Sequence, residues 1–208
     1  MVVDKFRPYH FVAARYVRPG DRVLDVGCGL GNNAALLRLM RVPCYIVGVD
    51  ACTRYLHSAA KWFYDELIAW DLRVTPWPFK DKEFDVALCT EVIEHLEKPH
   101  GYKLIDEMRR VARRILLTTP TKYHWTIEGA REPLEQHRSY WSPEELEALG
   151  FKVDYISAPP PETYRPRRLP ARILASLVRA LARNKRAWKL MGLVSANARE
   201  AVCVVAYR

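Results

Sequence analysis

The stretch RVLDVGCGLGNN (22–33) decides the fold. RVLDVG (22–27) is a short β-rich apolar run ending in glycine, and NAALLRLM (33–40) follows with helical spacing. Gly27, Gly29 and Gly31 therefore stand directly between a strand and a helix. Glycines there let the backbone turn tightly and approach a ligand closely beside a helix N-terminus. The same alternation continues outward. YIVGVDA (45–51), ELIAWD (66–71), FDVALCT (84–90) and RILLTTP (114–120) read as strands, with RYLHSAAKWF (54–63) and YKLIDEMRRVA (102–112) as helices. Near-continuous apolar strands separated by helices argue for a parallel sheet covered on both faces.

After residue 142 the grammar changes. SPEELEALG (142–150) reads as a short helix with Ser142 as N-cap, Pro143 in the first position and Gly150 at its end. FKVDYISA (151–158) and AVCVVAYR (201–208) are two further strands. The 208 residues suit one domain, with a core at 16–157, an insertion at 158–200 and a final strand at 201–208. Half of the chain is apolar, which places it among globular proteins. No apolar run reaches membrane-spanning length, and MVVDKFRPYHFVAARYV lacks the continuous apolar core of a signal peptide. Five cysteines without a CxxC pair read as buried hydrophobes in a reducing compartment rather than a zinc or disulfide framework. The expectation is a cytoplasmic protein.

Details of the glycine loop restrict its ligand. A dinucleotide fingerprint needs glycine or alanine where Asn32 stands. Asp25, beside the loop, would repel a phosphate and suits a ligand that bears positive charge. Asp50 ends the second strand, where a carboxylate can accept two hydrogen bonds from a ribose diol. Asp71 ends the third, placed to receive an adenine amino group. Three acids around a loop that disfavours phosphate describe a pocket for a cationic adenosine compound.

TEVIEHLEKP (90–99) begins where the fourth strand ends, on the side where α/β sheets place their ligands. Glu91, Glu94 and His95 fall three and four residues apart, which on a helical turn sets all three on one face. Read alone, the stretch is equally an acidic helix start. His124 and Tyr123 follow the fifth strand as candidates for an acceptor pocket, and His10, His57 and His100 receive no role.

With these motifs in place, the chain resembles the class I S-adenosylmethionine-dependent methyltransferases. The resemblance spans about residues 16–157, through VLDVGCGLG, VGVDA, WDLRVTPWPFKDKEFDVAL, TEVIEHLEKP and HRSYWSPEELEALGFKV. It implies a Rossmann-like seven-stranded, mostly parallel sheet with helices on both faces and an antiparallel last strand, with S-adenosyl-L-methionine as cofactor. Gly27, Gly29 and the backbone near Thr90 would hold its methionine end, Asp50 its ribose, and Asp71 with Leu72 its adenine, with Asp25 and Gly31 also counted in the cofactor site. Methyl transfer is an in-line displacement in which alignment supplies much of the catalysis. A hydroxyl acceptor must also lose a proton, to a histidine or carboxylate or with the help of a cation. His95, Glu91 and Glu94 are the catalytic candidates.

Glu-x-x-Glu-His recurs in two groups of the family, one methylating quinone precursors and the other the 2′-oxygen of small RNAs. In the RNA group a further histidine in a stretch like HRSYWS completes a divalent-metal site. Carried over, the ligands of a Mg²⁺ or Mn²⁺ ion would be Glu91, Glu94, His95 and His137. TPTKYHW (119–125) lacks the asparagine that often follows TP in that group. The favoured acceptor is an oxygen of a small or lipid-like molecule. The alternatives are RNA, or a protein that binds the cofactor without transferring its methyl.

The net charge of +9 is concentrated in residues 161–200, where ten Lys or Arg face only Glu162 and Glu200. Ile173, Leu174, Leu177, Val178 and Leu181 form one helical stripe there and Arg172, Arg179, Arg183 and Arg186 another. This basic amphipathic helix, about 170–190, packs on the domain in the simplest reading. An anionic membrane surface or an RNA backbone are its other possible partners. The oligomeric state is not legible.

Overall fold

The computed structural model describes residues 8–57, 59–122, 133–157 and 201–208. The basic helix expected at 170–190, the rest of the 158–200 insertion, and Tyr123 and His124 lie outside them.

The strands are β1 (Arg22–Val26), β2 (Tyr45–Asp50), β3 (Glu66–Ala69), β4 (Phe84–Thr90), β5 (Ala112–Pro120), β6 (Lys152–Ser157) and β7 (Ala201–Tyr207). They form one sheet in the order β3-β2-β1-β4-β5-β7-β6. Pairing is parallel from β3 through β5, and β7 runs antiparallel to both of its neighbours. The helices are α1 (Pro8–Tyr16), α2 (Asn32–Leu39), α3 (Thr53–Leu56), α4 (Lys98–Val111) and α5 (Pro143–Ala148).

Strand side chains alternate between faces with a period of two, and the core divides accordingly. Leu24, Val26, Val47, Val49, Ala87 and Leu117 join a cluster with Leu104, Ile105 and Met108 of α4 and Leu146 of α5. Val23, Ile46, Val86, Leu88 and Leu116 join a second cluster with α1 and α2. Both faces of the sheet are thus covered, as the apolar strands require. Among the described residues no helix is long and apolar enough to cross a membrane.

Two local departures from the sequence reading reshape the site. RYLHSAAKWF does not form one helix: α3 ends at Leu56 and Ala59–Trp62 form a separate 3-10 turn. Cys52, the N-cap of α3, makes no side-chain cap, and Trp62 is 76% exposed, so neither a cap nor an apolar face sustains a longer helix. The stretch after β4 is not an α-helical turn either. Glu91 takes a positive φ of 54°, and Ile93–His95 form a 3-10 turn. The shared face expected for Glu91, Glu94 and His95 is therefore not formed as drawn.

Candidate active site

A cavity of about 530 Å³ opens at the carboxyl ends of β1, β2 and β4. That size suits a nucleoside-sized ligand. Gly27, Gly29, Asp50, Asp71 and Leu72 lie on one wall, and Glu91, Val92, His95, Leu134 and His137 on the other.

On the first wall, β1 runs into the glycine loop. Gly27 (φ 67°) and Gly29 (φ 50°) adopt left-handed backbone, and a Cβ at Gly27 would stand 2.5 Å from Val92 Cγ2. Gly31, also left-handed, is the N-cap of α2 and is not on the wall. Asp50 closes the loop over the cavity. Its Oδ2 accepts from the Gly29 amide (2.8 Å) and its Oδ1 from the Cys52 amide (2.7 Å). Burial raises the Asp50 pKa, and these two amides oppose the shift.

Asp25 does not face the cavity. It shares Val23's face of β1, toward α2, and is 1% exposed. Its Oδ2 accepts from the Tyr64 hydroxyl (2.5 Å) and its Oδ1 from Asn33 Nδ2 (2.9 Å), which also reaches Thr90 Oγ1 (2.9 Å). Burial pushes the Asp25 carboxyl up to about 6. Asp25 and Thr90 thus belong to a buried network that ties the loop, α2 and β4 together behind the wall. Tyr64 and Asn33 were not expected in it. Asn33 lies inside the glycine stretch itself, and its position on the first turn of α2 was the only sequence signal.

Asp71 lies two residues beyond the end of β3 rather than at the strand end. Its carboxylate is clasped by Arg73, whose Nη2 donates to Oδ2 (2.6 Å) and Nε to Oδ1 (2.9 Å). Hydrogen bonds from Arg73 hold the Asp71 pKa below its ordinary range. His100, given no role by sequence, lines this end of the cavity.

The second wall is assembled from distant parts of the chain. The Arg138 and Ser139 amides donate to the Glu94 carbonyl (2.7 and 3.1 Å), and the Ser139 hydroxyl donates to the Ile93 carbonyl (3.3 Å). Trp141 is fully buried, with Nε1 donating to Ser139 Oγ (2.9 Å). It packs against Gly101 of α4, where a Cβ would stand 2.3 Å from its ring. This anchoring brings His137 to His95, with ring centroids 5.0 Å apart. Tyr55 of α3 donates to Glu135 across the cavity and joins the two walls.

Glu94, His95 and His137 each offer a ligand atom, and all three atoms lie within 4.8 Å of one another. Glu94 is 1% exposed, and neither of its carboxylate oxygens has a hydrogen-bond partner among the described residues; the neighbouring Thr119 hydroxyl bears on it without closing a bond. Burial first, and Glu91 second, raise the Glu94 pKa well above the carboxylate range. Burial lowers the pKa of His95 and of His137, so both imidazoles are neutral at neutral pH. His95 Nδ1 is buried with no hydrogen-bond partner among the described residues, and Nε2 lies 3.9 Å from Glu94 Oε1. Glu91 Oε1 accepts from the Thr118 hydroxyl (2.8 Å). The geometry therefore gathers three of the four metal-ligand candidates. Glu91 falls outside that set, although it lines the same cavity and its charge acts on Glu94.

A family model described as "Methyltransferase domain" matches residues 4–155. A ubiquinone biosynthesis O-methyltransferase of Hahella chejuensis is 30% identical over 122 residues, covering 53% of this chain and 50% of that protein. A fatty-acid O-methyltransferase of Mycolicibacterium smegmatis is 32% identical over 114 residues, covering 52% and 38%. The chain thus spans half or less of the length of these relatives. A SAM dependent methyltransferase from Archaeoglobus fulgidus superposes with a TM-score of 0.59 at 18% identity, over 96% of this chain and 89% of that one, and shares its fold.

Proposed function

The chain belongs to the methyltransferase-domain family, and we propose that this class I S-adenosylmethionine-dependent enzyme methylates an oxygen of a small or lipid-like acceptor. The reading rests on one observation: His95, a half-buried neutral imidazole, lines the same cavity as Gly29 and Asp50. The cavity fits the cofactor. Gly29 leaves an open face where a Cβ would meet nothing within 4 Å, and Asp50 is fixed at its rim by two amides.

When bound, S-adenosylmethionine supplies a methyl carbon whose S–C bond breaks as the acceptor's O–C bond forms. The chain's residues orient and deprotonate. Asp50 engages the ribose hydroxyls, Asp71 and the Leu72 amide the adenine edge, and the loop backbone at Gly27 and Gly29 the methionine end. His95 takes the acceptor hydroxyl's proton, with Glu94 Oε1 standing 3.9 Å from its Nε2. The two curated relatives above are named as O-methyltransferases, which favours oxygen as the accepting atom. A cytoplasmic location accords with the free thiols of Cys28, Cys44, Cys52 and Cys89.

The cluster of Glu94, His95 and His137 favours a second reading, a metal-assisted transfer to the 2′-oxygen of RNA. One carboxylate and two imidazoles suit Mn²⁺ or a later transition metal better than Mg²⁺, and the ion would lower the hydroxyl pKa. Labelled-methyl transfer separates the two. The first reading predicts label in organic-extractable phenolic or fatty acceptors without added metal; label only in short RNA, and only with Mn²⁺, would reverse the order.

A further inference from the structure

The adenine end of the cavity carries a cation that the cofactor does not call for. Arg73 stands two residues after Asp71 and fills its carboxylate. The Arg73 amide donates to Oδ1 (3.0 Å), Nε reaches both oxygens (2.9 and 3.1 Å), and Nη2 donates to Oδ2 (2.6 Å). Both residues line the cavity, and their side chains are 48% and 35% exposed, so this is no buried structural pair. An adenine amino group would seek the same oxygens.

A second acid lines the same cavity. Glu97 lines the same end, and its charge bears on the guanidinium. Arg73 therefore has an alternative partner when it leaves Asp71. The guanidinium can leave by side-chain rotation alone, with no movement of the sheet, while the Arg73 amide keeps its bond to Oδ1.

We propose that Arg73 is a specificity-setting residue that competes with the 6-amino group of the incoming nucleoside for Asp71, and swings toward Glu97 when the cofactor is bound. The inference rests on the assignment of Asp71 to adenine. It casts Asp71 as a filter: a purine must offer a donor good enough to replace a guanidinium, which a 6-amino group does and a 6-oxo group does not. A half-exposed ion pair is weak, so the competition costs the cofactor a few-fold in affinity and does not close the site.

Calorimetric titration with S-adenosylhomocysteine tests this. Arg73→Ala should bind about two- to ten-fold more tightly at low salt. Wild-type affinity should rise with added salt, as screening frees Asp71, and the variant's should not. Asp71→Asn, measured beside them, should bind more weakly. If Asp71→Asn weakens binding but Arg73→Ala leaves it unchanged or weaker, the competition is overturned while the adenine assignment stands. If Asp71→Asn changes nothing, the adenine assignment fails and the competition falls with it.

Discussion

The two walls of the cavity are built on opposite terms. On the glycine-loop wall the acids are satisfied by the protein itself: Asp50 accepts from two amides, Asp71 from Arg73, and Asp25 from Tyr64 and Asn33 behind them. On the histidine wall polar groups are left wanting. Among the described residues, buried Glu94 has no hydrogen-bond partner for either oxygen, nor has His95 Nδ1. Leaving a buried polar atom unmade costs about 1–3 kcal/mol, so a fold keeps such atoms where chemistry repays them. In the proposed reading, one wall binds and the other reacts.

Substitutions should respect that division. His95→Gln has the largest expected effect, a loss of roughly 10²–10⁴-fold in kcat with cofactor affinity nearly unchanged. Its pH profile sharpens the point. Burial lowers the pKa of His95 below 6.5, so the imidazole is a base at neutral pH and wild-type activity should fall as pH drops through that lowered value. The variant should lack this acid limb. An unaltered limb in His95→Gln would move the proton acceptor elsewhere.

Asp25→Asn probes the other side. A carboxyl raised to about 6 favours its protonated form in the folded chain. The associated stability is present below the ordinary value of 3.8 and is lost as pH rises through 6. Removing the charge should therefore stabilise the chain relative to wild type by up to about 3 kcal/mol more near pH 7 than near pH 4. Denaturant unfolding at the two pH values measures this. A gap that does not change with pH would mean that Asp25 is ionised without cost.

The sheet was readable because its signals are local. Each strand is an apolar run, β4 falls on FDVALCT, and Ser142 caps α5 by accepting from the Glu145 amide. The glycine-loop wall was readable for the same reason, since its residues sit at or just past strand ends. Face was harder than position. Asp25 was placed correctly beside the loop, yet strand alternation turns it away from the ligand. The histidine wall was the least legible. Its 3-10 turn and the positive φ of Glu91 break helical spacing. His137 arrives only because residues 138 and 139 bond the Glu94 carbonyl, a contact no spacing reveals. HRSYWS suggested His137 by resemblance, and Trp141 packed on Gly101 gives that stretch its anchor.

The account turns on the cofactor being held at the glycine-loop wall through Asp50. Titration of wild type and Asp50→Ala with S-adenosylhomocysteine tests this most directly, with melting curves to show that the variant is folded. The account predicts a clear binding isotherm for wild type and a loss of roughly 10–100-fold for the variant, as expected when hydrogen bonds to a charged group are removed. Equal affinities in the two proteins would contradict it.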